Sequence, residues 1–257
     1  MSDEPVLRIY ICGRLAVERG QALIQEGAFP ARQGRRLWSY LVLNRRRPVG
    51  REELADAIWG DEMPDTWDAT LNALASRLRS LLRPISSAQR DLGIQGEVGR
   101  YVLKLPVNVF IDLERARKAI HEADIAMHRR DLQVVLNEAR VAMEIAARGF
   151  MPGDEAPWIE RQRRSLLDVQ TRALERTVEA ELYRGRPDVA EHEARLLLAL
   201  DPLRESAYRL LMRALAACGN RGEVVRAMEE CRRALRESGV SAPSGETERV
   251  FRELTDR

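Results

Sequence analysis

Residues 66–83 read TWDATLNALASRLRSLLR, and the spacing within this stretch decides the fold of the first part of the chain. Leu71, Leu74, Ala75, Leu78, Leu81 and Leu82 recur at steps of three and four, the period of a helix with one face on a core. The opposite face then carries Ala73, Ser76 and Ser80 along its middle, with Asn72, Arg77, Arg79 and Arg83 on its flanks. No acid follows Asp68, so the second half of the helix is a cationic strip, and Pro84 with Ser86 and Ser87 closes it.

Upstream, a shorter helix over about 51–58 carries Leu54, Ala57 and Ile58 and is broken by Trp59-Gly60 and Pro64. Before it, Leu37, Trp38, Leu41 and Val42 form a helical stripe that starts near Ala31 and stops before Pro48. Residues 6–30 alternate short apolar runs with Gly13 and Gly20, an antiparallel meander. Downstream, Ile94 to Gln95 and Tyr101 to Leu105 flank Gly96 and Gly99 as a hairpin. Strands, three helices and a hairpin make an α+β winged helix-turn-helix, placed here at residues 1–110 and expected to enclose a core by itself. The turn from Trp59 to Thr66 is longer than that of the simple motif.

After Asp112 the strand signals stop. Helices are expected over about 112–148 (two, broken at 129–131), 156–184, 187–200, 203–218, 221–238 and 245–255. Ala190, Ala194, Leu197 and Pro202 are answered 37 residues later by Ala227, Cys231, Ala234 and Gly239. Small residues at those offsets let paired helices approach, so residues 111–257 read as an all-α, tetratricopeptide-like helical domain with a blurred repeat.

The chain has 257 residues, 45% apolar and 32% charged, enough to bury cores in two ordinary domains. A net charge of +2 excludes a general polycation, so any nucleic-acid binding must come from a local patch. Of 42 basic side chains only Lys104 and Lys118 are lysines, and the planar fork of arginine suits phosphate. Cys12, Cys218 and Cys231 are an odd set without a CxxC pair, which indicates neither a disulfide framework nor a zinc site. The start, MSDEPVLRIY, has no apolar core of a secretory signal, and no apolar run is long enough to span a membrane. A soluble, reduced, cytoplasmic protein with no membrane partner is the expectation.

Small side chains along the middle of a helix face let it enter the major groove, where flanking Asn and Arg reach guanine, adenine or phosphate. A Gly-turned hairpin with Arg100, Tyr101 and Lys104 is what a winged helix sets against phosphates. The expected DNA-binding set is therefore Asn72, Ala73, Ser76, Arg77, Arg79, Ser80 and Arg83 on the helix, with Arg100, Tyr101 and Lys104 on the hairpin. An Arg/Ser face is also what a merely solvated helix shows; the order of elements around it favours the groove. Asp61, Glu62, Asp65 and Asp68 would repel phosphate, which puts the turn off the duplex and free for a protein partner, unless Asp65 or Thr66 only caps the helix.

Several short motifs in this order resemble one family. They are Cys12-Gly13-Arg14-Leu15; Arg36-Leu37-Trp38-Ser39-Tyr40-Leu41; Arg51-Glu52-Glu53-Leu54 running into Ile58-Trp59-Gly60; Ser76-Arg77-Leu78-Arg79; and Gly99-Arg100-Tyr101-Val102-Leu103. From about Leu7 to about Leu254 the chain resembles the Streptomyces antibiotic regulatory protein family of transcriptional activators. These join a response-regulator-type winged helix to a bacterial transcriptional activator domain. The chain departs from the family at Ser80, often a lysine there, and at Arg100, often a glycine. It has no GxxxxGK[ST] motif of the ATPase module in large members, so a short form is expected. The resemblance implies binding to directly repeated promoter sites on double-stranded DNA, by two protomers as a homodimer on or off DNA. It also implies recruitment of RNA polymerase holoenzyme.

A second reading, from another class, is an interaction scaffold whose winged helix no longer binds DNA; the flanking arginines count against it. An enzyme is not indicated: no GxSxG elbow accompanies any serine, and no cofactor motif is present. His121 and His128 lie seven apart without a completing ligand, so neither they nor His192 suggests a metal. Trp158 beside Pro157 is either a partner contact or, as is usual at a helix start, a packing residue.

Overall fold

The computed structural model describes residues 5–87 and 91–256. Its elements follow the order β1 (Arg8–Tyr10), β2 (Ala16–Arg19), β3 (Ala22–Gln25), α1 (Ala31–Leu43), β4 (Val49–Gly50), α2 (Arg51–Trp59), α3 (Trp67–Leu82), β5 (Gly93–Glu97), β6 (Arg100–Lys104) and β7 (Phe110–Ile111). The helical part follows as α4 (Asp112–His128), α5 (Leu132–Ala146), α6 (Pro157–Tyr183), α7 (Pro187–Leu200), α8 (Glu205–Ala217), α9 (Arg221–Glu237) and α10 (Gly245–Thr255). This is a winged helix followed by an all-helical region.

The residues gather into two compact units, and neither is continuous in sequence. One holds Met1–Arg115 with Arg148–Ser165; the other holds Ala116–Ala147 with Leu166–Arg257. A single cut after residue 110 therefore does not reproduce the compact units, because 148–165 packs with the N-terminal elements.

In the first unit the meander forms as its alternation requires: β1 pairs antiparallel with β2, Ile9 opposite Val17, and β2 with β3. Two pairings were not legible. β7 adds to β1 in parallel, giving the order β3-β2-β1-β7, and β4 adds to β6, giving β4-β6-β5. β4 and β7 are two residues long, too short to show a period. Leu37, Trp38, Leu41 and Val42 of α1, Leu54 and Ile58 of α2, and Leu71, Ala75, Leu78 and Leu82 of α3 bury their faces in one core; Leu81 is only half-buried.

Residues 148–165 complete that core. Gly13 N–H donates to Gly149 O (2.7 Å), and Cys12 bridges Phe150, which is fully buried. Arg36, inside α1, puts Nη1 on Ile58 O (2.6 Å) and both Nε and Nη2 on Asp154 Oδ1 (3.0 and 2.6 Å). Burial raises the Asp154 carboxyl, but Arg36 and Arg32 outweigh it and hold the group below its ordinary range. Trp158 is a packing residue: its Nε1 donates to Ala57 O (2.9 Å), and its ring meets Tyr40 and Phe150 edge-on.

The second unit consists of helices that pack through small side chains. Ala190 and Ala194 of α7, Ala214 of α8 and Ala227 of α9 are buried with Met212 and Met228 in one cluster, as close helix pairing requires. Cys231 occupies the place of Ala194 in the repeat and is also fully buried. Among the described residues no helix is long and apolar enough to cross a membrane, and no group of three His, Cys, Asp or Glu residues is placed to hold a metal.

Candidate nucleic-acid interface

α3 presents the face its spacing predicts. Asn72, Ala73, Ser76, Arg77, Arg79, Ser80 and Arg83 are all exposed, while the leucines opposite them are buried. The helix starts without a side-chain cap: Thr66 stands at the N-cap and neither it nor Asp65 bonds a first-turn N–H, so the capping role is vacant. Backbone turns hold the entry instead, with Trp67 N–H on Pro64 O (2.9 Å) and Thr70 N–H on Thr66 O (3.0 Å). Asp61, Glu62 and Asp65 are exposed in the preceding turn.

The residue that joins the pieces is Arg51, which lies outside the expected DNA-binding set. It opens α2, its backbone N–H donates to Gly99 O (3.2 Å) at the hairpin turn, and its Nε donates to Asp68 Oδ1 (2.9 Å) on α3. That bond to Asp68 raises the guanidinium pKa further, so the charge is permanent. Arg51 Nη1 also reaches Asn72 Oδ1 (3.1 Å) and the Tyr101 hydroxyl oxygen (3.1 Å), and Tyr101 Oη donates to the same Asn72 oxygen (2.8 Å).

This network fixes the polarity of Asn72. Guanidinium nitrogens only donate, so the amide atom facing Arg51 has to be the oxygen. The amide nitrogen has no partner among the described residues and belongs to an exposed side chain. What Asn72 offers outward is a pair of N–H donors, with no acceptor.

Tyr101 takes a different place from the other expected residues. Along β6, Arg100 and Lys104 point outward while Tyr101 and Leu103 alternate inward, and Tyr101 is only 3% exposed. Its ring lies under two guanidinium groups, Arg51 at 5.5 Å and Arg79 at 5.9 Å from the centroid. Arg79 in turn donates from Nε to Ile94 O on β5 (2.7 Å). Tyr101 and Arg79 therefore brace the hairpin against α3, and neither is a free side chain. Arg77 and Arg83 carry no ion pair or hydrogen bond among the described residues.

The hairpin turns at Val98-Gly99, with Gly99 at φ +70°, a conformation that a side chain would strain. Val98 is fully exposed at the tip, Arg100 beside it, and Lys104 lies four residues away at the base, where it lines a cavity with Arg19 and Asp91. Arg19 and Asp91 join bidentately (2.9 and 2.7 Å), tying β2 to the segment that leads into β5. Arg51 and Val98 stand outside the expected set, Arg51 within the network at Asn72 and Val98 exposed at the hairpin tip.

Comparison with known proteins agrees with this geometry. Residues 111–255 match the bacterial transcriptional activator domain, and residues 30–99 match the C-terminal domain of transcriptional regulatory proteins. Regulatory protein AfsR of Streptomyces coelicolor is 31% identical over 215 residues, which is 83% of this chain and 21% of AfsR. Transcriptional regulator RedD of the same organism is 28% identical over 236 residues, 89% of this chain and 65% of RedD. The chain thus spans about a fifth of the length of one relative and just under two thirds of the other. The solved structure of Mycobacterium tuberculosis EmbR, in complex with a low affinity phosphopeptide, superposes with a TM-score of 0.82 at 21% identity. It covers 99% of this chain and 65% of EmbR, a likeness of fold. With the activator domain matching more than half of the chain behind a winged helix, the protein belongs to the Streptomyces antibiotic regulatory protein family of transcriptional activators.

Proposed function

We propose that the chain is a sequence-specific DNA-binding activator of transcription in which α3 enters the major groove and the β5–β6 hairpin grips the backbone. Asn72, Ser76, Arg77, Ser80 and Arg83 face the duplex across the small side chain of Ala73; Arg100 and Lys104 contact phosphate; Tyr101 and Arg79 hold the two elements in register. The supporting observation is the Arg51–Asn72–Tyr101 network, which sets one donor-bearing face of α3 rigidly beside the hairpin. Pre-organised donors on a helix are what base readout needs.

Residues 1–110, supported by 148–165, carry the DNA reading in this proposal. The helical part from 111 onward makes the protein contacts: a second protomer on directly repeated promoter sites, and RNA polymerase holoenzyme. The protein acts in the cytoplasm, where that DNA and polymerase are found, and not as an enzyme. The experiment is selection of bound duplexes from a random pool, followed by footprinting and in vitro transcription on the selected site. A recovered consensus that Arg77→Ala weakens supports the reading. Full affinity in Arg77→Ala overturns the placement of α3 in the groove, and no consensus at all leaves the interaction scaffold as the better account.

A further inference from the structure

The second unit contains a cavity of about 510 Å³ that the DNA-binding reading does not use. It is lined by three alternate helices, α4, α6 and α8, and by the turn after α4. Met127, Leu182 and the buried Leu210 give it an apolar floor, and its rim carries Arg130, Arg213 and the largely exposed Tyr183.

Its charges are unevenly satisfied. Arg176 is neutralised by Asp124 (2.6 Å) and Glu179 (2.5 Å), which leaves those carboxylates engaged. Arg213 has no ion pair or hydrogen bond among the described residues, and Arg130 touches only the face of Tyr183, at 5.3 Å from its centroid. Two unpaired cations therefore stand over hydrocarbon.

Arg130 is also held in a conformation that disfavours it. The turn after α4 closes with Arg130 N–H on Met127 O (3.0 Å) and Asp131 N–H on Ala126 O (3.0 Å), which sets Arg130 in the left-handed region at φ +57°. The helices α6, α8 and α9 end in the same kind of turn, and each puts a glycine there: Gly185, Gly219 and Gly239. Only glycine adopts this conformation without strain. Here an arginine stands where the comparable turns use glycine, and the strain places its side chain at the cavity rim.

We propose that this cavity docks an acidic segment of a partner protein, one apolar side chain entering between α4, α6 and α8 while flanking carboxylates meet Arg130 and Arg213. The volume suits one large side chain with its neighbours. A small inorganic anion would pair the cations and leave the apolar floor uncovered, whereas an apolar anchor between acids satisfies both. The assignment rests on the reading that the helical part makes protein contacts, and it gives that contact a chemistry.

The test is selection of random peptides displayed on phage against the immobilised full chain, followed by fluorescence polarisation with the recovered sequence. Peptides with Asp or Glu around one Leu, Phe or Trp should be enriched. Arg213→Ala and Arg130→Gly should each weaken them by about tenfold. Arg130→Gly is the sharper variant, because relief of the turn should raise the unfolding temperature while binding falls. Mobility shifts on DNA should be unchanged in both variants, so a failure of DNA binding is scored separately. Neutral or basic peptides, no enrichment, or full binding in both variants would overturn the proposal. So would binding of inorganic phosphate at millimolar concentration with no peptide selected, which would make the cavity a small-anion site.

Discussion

At the scale of single residues, the exposed face of α3 divides into free and braced side chains, and the two should respond differently to substitution. Asn72→Asp keeps the inward oxygen for Arg51 and Tyr101 but turns the outward donor into an acceptor. Affinity for the selected site should fall by about 1–3 kcal/mol, the worth of a base contact, with changed preference at one position. Mobility shifts on single-base variants of the site measure this; unchanged affinity and preference would remove Asn72 from the interface. Arg77→Ala should lower affinity without changing the unfolding temperature, since Arg77 has no ion pair or hydrogen bond among the described residues. Arg79→Ala should lower both, because it also strips Ile94 O of its donor and Tyr101 of a cation. These distinctions were not in the residue types: both arginines flank the same face, and only the position of β5 separates them.

At the scale of elements, the hairpin depends on what ties it down. Arg100→Ala should weaken all sequences alike and reduce the slope of log affinity against log salt by about one, as loss of one phosphate contact does. Lys104→Ala should do less, since Lys104 sits at the base of β6 and away from the tip. The Arg19–Asp91 pair gives the same hairpin a pH dependence. Its hydrogen bonds from Arg19 hold the Asp91 carboxyl well below the ordinary 3.8. A lowered carboxylate pKa contributes stability that is present above the unfolded value and lost as pH falls through the folded one. Asp91→Asn should therefore destabilise the protein by about 1–2 kcal/mol near pH 7, and the difference from the parent should shrink below about pH 4. Denaturant titrations at both pH values read this directly; a difference independent of pH would show that the pair's charge contributes nothing.

At the scale of the whole molecule, the segment 148–165 changes what a truncation means. A fragment ending at residue 110 keeps every expected DNA contact but loses Asp154, Phe150 and Trp158 from its core. Arg36, 7% exposed in the full chain, then has no carboxylate. Orphaning one member of a buried pair costs about 3–5 kcal/mol. The fragment should unfold at low denaturant or without a cooperative transition, and Arg36→Met within it should recover part of the loss by removing the unpaired charge. Cooperative unfolding of the unmodified fragment at high denaturant would show that 148–165 is dispensable. In the full chain Asp154→Ala should produce a similar loss, read by calorimetry.

By itself the sequence determined the helices, the meander, the hairpin and the outward face of α3, because each is a periodicity written in neighbouring residues. Steps of three and four place Leu71 through Leu82 on one side, and apolar runs flanking Gly96 and Gly99 mark the hairpin. Alternation along β6, with Arg100 and Lys104 outward, is the local signal that turns Tyr101 inward. What only the tertiary structure decided lies between residues far apart in the chain. Arg51, Asn72 and Tyr101 meet across up to 50 positions, and Arg36 meets Asp154 across 118. Such contacts are chosen by the packing of whole elements, which brings particular polar atoms within bonding distance and buries them there. No local period records that choice, so the braces between α3 and the hairpin, and the extent of their compact unit, came from the fold alone.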